Sequence, residues 1–137
     1  MSKIGIYPGS FNPLHDGHLD IIRQARKIFD VIIILKHGDS PLDYEGDYNI
    51  ENFKSSTVIK IEFFKDKLLV DAIKRYGGDA IIRGLRNGND LQYEMNQLYW
   101  NEDLGITIPT VYFIADRNLT HISSSAIREI KNYAKNN

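Results

Sequence analysis

The sequence predicts an α/β protein: a single domain over residues 1–137, built on an open sheet of five parallel strands with helices on both faces. Three observations carry this. Short β-branched runs alternate with stretches of helical periodicity, and such alternation builds a parallel sheet. The run "VIIIL", Val31 to Leu35, is apolar without a break, as in a strand buried on both faces. Three polar clusters fall just after predicted strands, where ligands bind in sheets of this kind.

The elements follow in order. "KIGIY", Lys3 to Tyr7, is a short strand stopped by Pro8 and Gly9. From Gly17 to Phe29, the apolar Leu19, Ile22, Ala25, Ile28 and Phe29 recur at helical spacing, with Asp20, Arg23, Gln24 and Lys27 on the other face. With Val31 to Leu35, this makes a β-loop-α-β crossover unit. Val58 to Phe64 is a strand. "DKLLVDAIKRYGG" is a helix starting near Asp66 or Lys67 and stopped by Gly77. "DAIIRG" holds a strand ending at Gly84. "DLQYEMNQLYWNEDLG" is a helix with Asp90 at or near its N-cap and Gly105 past its end. Thr110 to Ala115 is the fifth strand, and a last helix opens on serines suited to capping. Lys36 to Thr57 has no clear periodicity and reads as a long loop, with at most one helical turn around Ile50 to Lys54.

Composition narrows the function. A chain of 137 residues can bury roughly two thirds of its unfolded surface, enough for one core without staples. It has no cysteine, which excludes disulfides and thiolate metal sites and suits a reducing cytoplasm. A net charge of −1 argues against a general nucleic-acid binder. No run approaches the roughly 18 apolar residues of a membrane span, and no secretory h-region opens the chain. The expectation is a cytoplasmic protein with no membrane contact.

The first cluster is "PGSFNPLHDGH". Gly9 lets a ligand approach the backbone, and Ser10 offers a hydroxyl and an N–H. His15, Gly17 and His18 stand at a helix start, where free N–H groups and the macrodipole favour an anion. One histidine there would ordinarily cap or pack. Two, behind Pro8-Gly9-Ser10, point to a phosphate cradle. The pattern is neither GxGxxG nor GxxxxGK[ST].

The second cluster is "RGLRNGND". Arg83 and Arg86 suit phosphate or carboxylate through their planar forks. They equally suit surface pairs with Asp90 and Glu94. In the third, Ser123, Ser124 and Ser125 can cap a helix. Facing two other phosphate-suited loops, they suggest a polyphosphate clamp.

"YPGSFNPLHDGHLDII", "IIRGLRNGNDLQYEMNQLYWNEDL" and "ISSSAIREI" together resemble phosphopantetheine adenylyltransferase, of the HxGH nucleotidyltransferase superfamily, with its Rossmann-like fold. The likeness covers most of residues 3–35 and 58–130. HxGH alone is shared with other nucleotidyltransferases and class I aminoacyl-tRNA synthetases; the "RGLR…D…YE" block is far more specific. The resemblance implies attack of the phosphopantetheine 4′-phosphate on the α-phosphorus of ATP, assisted by Mg²⁺, with no covalent enzyme intermediate. It implies that His18 is catalytic and donates to the α-phosphate. Ser10 and Phe11 would bind where ATP and acceptor meet, with His15 also at the ATP. Gly84, Leu85 and Arg86 would form the ATP loop, with Glu94 at the same site. Leu119, Thr120, His121, Ile122 and Ser123 to Ser125 would wrap the nucleotide. Arg83 would hold the acceptor and Leu69 its pantetheine arm. The chain's own residues are expected to hold no metal. The family's oligomers imply a homo-oligomer, a hexamer.

The sequence departs from the family pattern in four places. His15 stands where the family has Thr, and Asn12 where it has Asp. The family's lysine stretch after strand two is replaced by "HGDSPLDYEGD", leaving Lys36 and His37 as the nearby cations. The sequence in hand runs only a few residues past the expected last helix, short of the family's extra C-terminal segment. Asp39, Asp43, Glu45 and Asp47 are expected to face solvent, so acceptor binding would rest on Arg83, Ser10 and Lys36. Two alternatives stand beside the main reading. One is nucleotidyl transfer to another acceptor, such as nicotinamide mononucleotide or a sugar phosphate. The other is a non-catalytic nucleotide-binding module, against which the retained His18, Arg86 and serines speak.

Overall fold

A computed structural model describes residues 2–42, 56–116 and 123–136. The elements are β1 (Ile4–Gly9), α1 (Asp16–Ala25), β2 (Val31–His37), β3 (Val58–Phe64), α2 (Leu69–Tyr76), β4 (Ala80–Leu85), α3 (Gly88–Asp103), β5 (Thr110–Ile114) and α4 (Ser124–Asn136). The five strands form one sheet in the order β3-β2-β1-β4-β5. Every pairing is parallel.

Alternate residues of each strand serve opposite faces. On one face, Ile32, Ile34 and Ile82 pack with Ile22 and Ala25 of α1. On the other, Ile6, Ile33, Leu35 and Ile81 pack with Val70, Ala72 and Ile73 of α2. That double burial is why β2 reads as an unbroken apolar run. From β1 the chain runs outward through β2 and β3, then returns to β4 and β5 on the other side. The order therefore reverses between β1 and β4, and a crevice opens at their carboxyl ends.

Several boundaries differ from expectation. β1 continues through Pro8 and Gly9, which stay in register with Leu35 and Lys36. The ladder to β4 is confined to Gly5 and Ile6, so proline's missing N–H breaks no pairing with β4 at this level. α1 stops at Ala25; Ile28 is 47% exposed, whereas Phe29 joins the core. α2 starts at Leu69, with Leu68 before it and no side-chain cap, while Asp66 accepts from Arg75 Nη2. Asn87, not Asp90, caps α3, its side chain accepting from the Asp90 N–H. Ser123 caps α4 by accepting from the Ala126 N–H at 3.1 Å. Gly77 and Gly105 stop α2 and α3 with φ of 73° and 103°, as their positions predict. The helical turn expected around Ile50 to Lys54 lies outside the described residues.

Candidate active site

A cavity of about 340 Å³ occupies the crevice between β1 and β4. Its wall is made by the loop after β1, the start of α1, the end of β4, one face of α3 and the start of α4.

The start of α1 is a capping box made of two histidines. His15 precedes the helix, and its Nδ1 accepts from the Gly17 N–H at 3.0 Å. His18 reaches back, and its Nδ1 accepts from the His15 N–H at 3.1 Å. The two rings stack at 3.8 Å. Gly17 is required sterically, because a Cβ there would lie 2.8 Å from His15 Cε1. In both rings Nδ1 is an acceptor, so in the neutral form the proton sits on Nε2. Burial, then His15, Arg83 and Arg86, pushes the His18 pKa down to about 3. Burial, followed by the charge on Arg86, lowers that of His15. The site thus presents neutral imidazoles whose uncommitted group is Nε2–H, at the end of a helix with free backbone donors.

Opposite stand two arginines, Arg83 within β4 and Arg86 just past its end. Arg83 holds Glu94, with Nη2 donating to Oε1 at 2.7 Å and Nε donating to both carboxylate oxygens. Its Nη1 donates to the Pro8 carbonyl at 2.9 Å. Burial works against this charge, but Glu94 more than offsets it and the Arg83 pKa is raised. Arg86 forks onto Asp90 through Nε and Nη2 at 2.9 and 3.1 Å, and that bonding lowers the Asp90 pKa. Both arginines nevertheless face the cavity. The carboxylate pairing and the anion-facing position, which the sequence left as alternatives, occur together.

The start of α4 closes the third side. Ser123 and Ser124 line the cavity. Ser124 Oγ donates to the Pro13 carbonyl at 3.0 Å, and Arg128 Nη1 donates to that of Asn12 at 2.6 Å. These bonds tie the serine end to the loop after β1. A cavity with two Nε2–H groups, two guanidiniums and two helix starts suits a polyphosphate.

The family described as cytidylyltransferase-like matches residues 6–130 of this chain. Phosphopantetheine adenylyltransferases of Streptococcus pneumoniae strain 70585 and of serotype 4 strain TIGR4 are each 37% identical to it over 139 residues, covering 97% of this chain and 86% of theirs. The chain belongs to the cytidylyltransferase-like family, in its phosphopantetheine adenylyltransferase branch. A solved structure titled lipopolysaccharide core biosynthesis protein, from Thermoplasma volcanium GSS1, shares the fold, with a TM-score of 0.59 and 19% identity over 85% of this chain and 99% of that one.

This adenylyltransferase-family chain brings together Ser10, Phe11, His15, His18, Arg83, Gly84, Arg86, Glu94, Ser123 and Ser124 on one cavity wall. Gly84 serves packing as well, since a Cβ there would lie 2.9 Å from Ile21 of α1. Four of the residues singled out in the sequence are not on that wall. Leu85 pairs with Ile114 in the sheet. Ser125 Oγ accepts from Arg128. Leu69 opens α2 and packs against the core on that face of the sheet. Lys36 is buried, its Nζ donating to the His37 carbonyl at 3.4 Å. Leu119, Thr120, His121 and Ile122 lie outside the described residues, as do Asp43, Glu45 and Asp47. Asp39 is exposed and paired with Lys65 at 2.7 Å, as a solvent-facing loop predicts. Sequence reasoning missed Tyr7, the Pro8 carbonyl and Tyr93 as parts of the site. Only Tyr7, the last residue before the Pro-Gly turn, carried a positional signal.

Proposed function

We propose that this protein moves AMP from ATP to the 4′-phosphate of phosphopantetheine, giving dephospho-coenzyme A and pyrophosphate. A phosphate oxygen of the acceptor bonds to the α-phosphorus, the bond from that phosphorus to the β-bridging oxygen breaks, and pyrophosphate leaves with the electron pair. Catalysis is then positioning and charge stabilisation. His18 Nε2–H donates to the α-phosphate as its charge grows, with His15 beside it. Arg86, Ser123 and Ser124 hold the triphosphate, while Arg83 and Ser10 meet the acceptor. The carrying observation is the histidine capping box, which sets two neutral Nε2–H donors at one helix start.

Mg²⁺ enters this reading with the triphosphate, whose charge it neutralises. Among the described residues no group of three or more His, Asp or Glu side chains could hold a metal. The cavity's Asp90 and Glu94 are each engaged by an arginine. Phosphate oxygens and water would hold the ion.

The second reading keeps the chemistry and changes the acceptor, to nicotinamide mononucleotide or a sugar phosphate. It is favoured by Lys36, which is off the cavity wall and leaves the acceptor side short of cations. One experiment separates these readings from a non-catalytic module. Mg·ATP is incubated with each acceptor and pyrophosphate is measured, with His18→Ala as control. Release with phosphopantetheine alone supports the proposal, release with another acceptor the second reading, and none the module.

We further infer a cytoplasmic homo-oligomer, a hexamer by resemblance. The exposed Tyr99 and Trp100 of α3 and Ile114 of β5 support assembly, since apolar groups so exposed commonly mark an interface. No helix among the described residues is long and apolar enough to cross a membrane.

A further inference from the structure

Phe11 has a backbone no large side chain adopts freely. Its φ is +45°, in the left-handed region, yet its side chain is only 3% exposed. Such strain persists only where the surroundings over-determine it, and it concentrates at functional sites. The contacts show what the strain achieves. The ring sits in the space left by Gly9, where a Cβ would lie 3.2 Å from two of its atoms. It meets the Tyr7 ring edge-on at 5.1 Å and 88°. It meets the His18 ring at 5.0 Å and 74°. Tyr7 itself approaches His18 at 6.2 Å. His18 is therefore held by the stacked His15 ring, by the edge contacts of Phe11 and Tyr7, and by the bond from the His15 N–H to its Nδ1.

We propose that Phe11 is a positioning residue for nucleotidyl transfer: its ring, wedged between Gly9 and His18, fixes the imidazole in the one orientation that offers Nε2–H to the reacting phosphate. The proposal rests on the transfer reaction above and adds a side-chain role for Phe11 within it. An imidazole anchored by one hydrogen bond and one stack can still tilt. The aromatic edge removes that freedom before substrate arrives, which is the preorganisation an electrostatic donor needs.

The test has a substrate-free arm and a kinetic arm. In the ligand-free protein, ¹⁵N NMR should show His18 as a single Nε2–H tautomer; in Phe11→Leu, which keeps an apolar side chain, the signal should broaden or average. In turnover, Phe11→Leu should lower kcat about tenfold while KM for ATP stays within about twofold. In a His18→Ala background, Phe11→Leu should cost nothing further, because its effect runs through the missing ring. An unchanged tautomer, or a loss that simply adds to that of His18→Ala, overturns the proposal. Should Phe11→Leu fold poorly, Gly9→Ala displaces the same ring from the other side. It should broaden the His18 signal and lower kcat several-fold, and an unaltered signal with unaltered kcat overturns the proposal equally. Inactivity of the wild-type protein with every acceptor would sink the transfer reaction and leave the NMR arm to decide the packing.

Discussion

Replacing Gly17 by alanine separates stability from activity. The new Cβ would lie 2.8 Å from His15 Cε1 and 3.0 Å from Nδ1. To reach an ordinary 3.4 Å contact the ring must retreat by about 0.6 Å. That movement breaks the bond from the Gly17 N–H to His15 Nδ1 and disturbs the 3.8 Å stack on His18. Losing an N-cap costs about 1 kcal/mol. Alanine in place of glycine inside a helix returns up to about 1 kcal/mol. The two effects nearly cancel, so the melting temperature should move by no more than about 4 °C. Activity has no such compensation. A shift of this size at a positioned donor should lower kcat by roughly tenfold to a hundredfold. The assay is pyrophosphate release and a thermal melt on the same preparation. Near-normal kcat with an unchanged melt would show that the His15 cap is dispensable to catalysis. A fall of more than about 10 °C would show that the glycine serves the fold instead.

Four further outcomes are expected. Burial holds the His18 pKa at about 3 in the ligand-free protein, so kcat/KM, which reports the free enzyme, should show no limb from this residue between pH 5 and 8; a His18-dependent limb near pH 6.5 would contradict the burial. Because the folded pKa lies below the unfolded value of about 6.5, the unfolded chain takes up the proton first, and His18 costs stability as pH falls from about 6.5 towards 3; denaturant titrations should show that slope in the wild type and a shallower one in His18→Ala. Arg83→Ala leaves the buried Glu94 carboxylate without its partner and should cost about 2 kcal/mol in urea unfolding, whereas Arg83→Met with Glu94→Leu should recover most of it without recovering acceptor affinity. Arg86→Ala breaks a pair whose arginine side chain is 38% exposed, so it should weaken ATP in calorimetry while shifting stability by under about 1 kcal/mol.

Much of this architecture is local and was legible in order along the chain. β-Branched runs such as Val31 to Leu35 and Val58 to Phe64 became strands, since backbone geometry and burial favour them there. Gly77 and Gly105 stop helices with positive φ, a demand that shows in residue type alone. The clusters at the ends of β1 and β4 met in one cavity because parallel topology brings those ends together. What depended on the assembled chain is of a different kind. Arg83 reaches Glu94 only once the end of β4 faces α3, whereas Arg86 meets Asp90 four residues further on; in both cases no spacing rule chooses between a carboxylate and a ligand for a guanidinium. Lys36 follows β2 into burial off the cavity wall. The tautomers of His15 and His18 are set by two backbone N–H groups whose directions exist only after α1 has formed. Phe11 in the left-handed region contradicts its own local preference, and only packing against Gly9, Tyr7 and His18 can hold it there. The amino-acid sequence by itself determined which elements form and where polar chemistry gathers, because those follow from neighbours along the chain. The three-dimensional structure alone decided which polar groups are spent on each other and which remain for a ligand, because that depends on the directions in which strand ends and helix starts present them to one cavity.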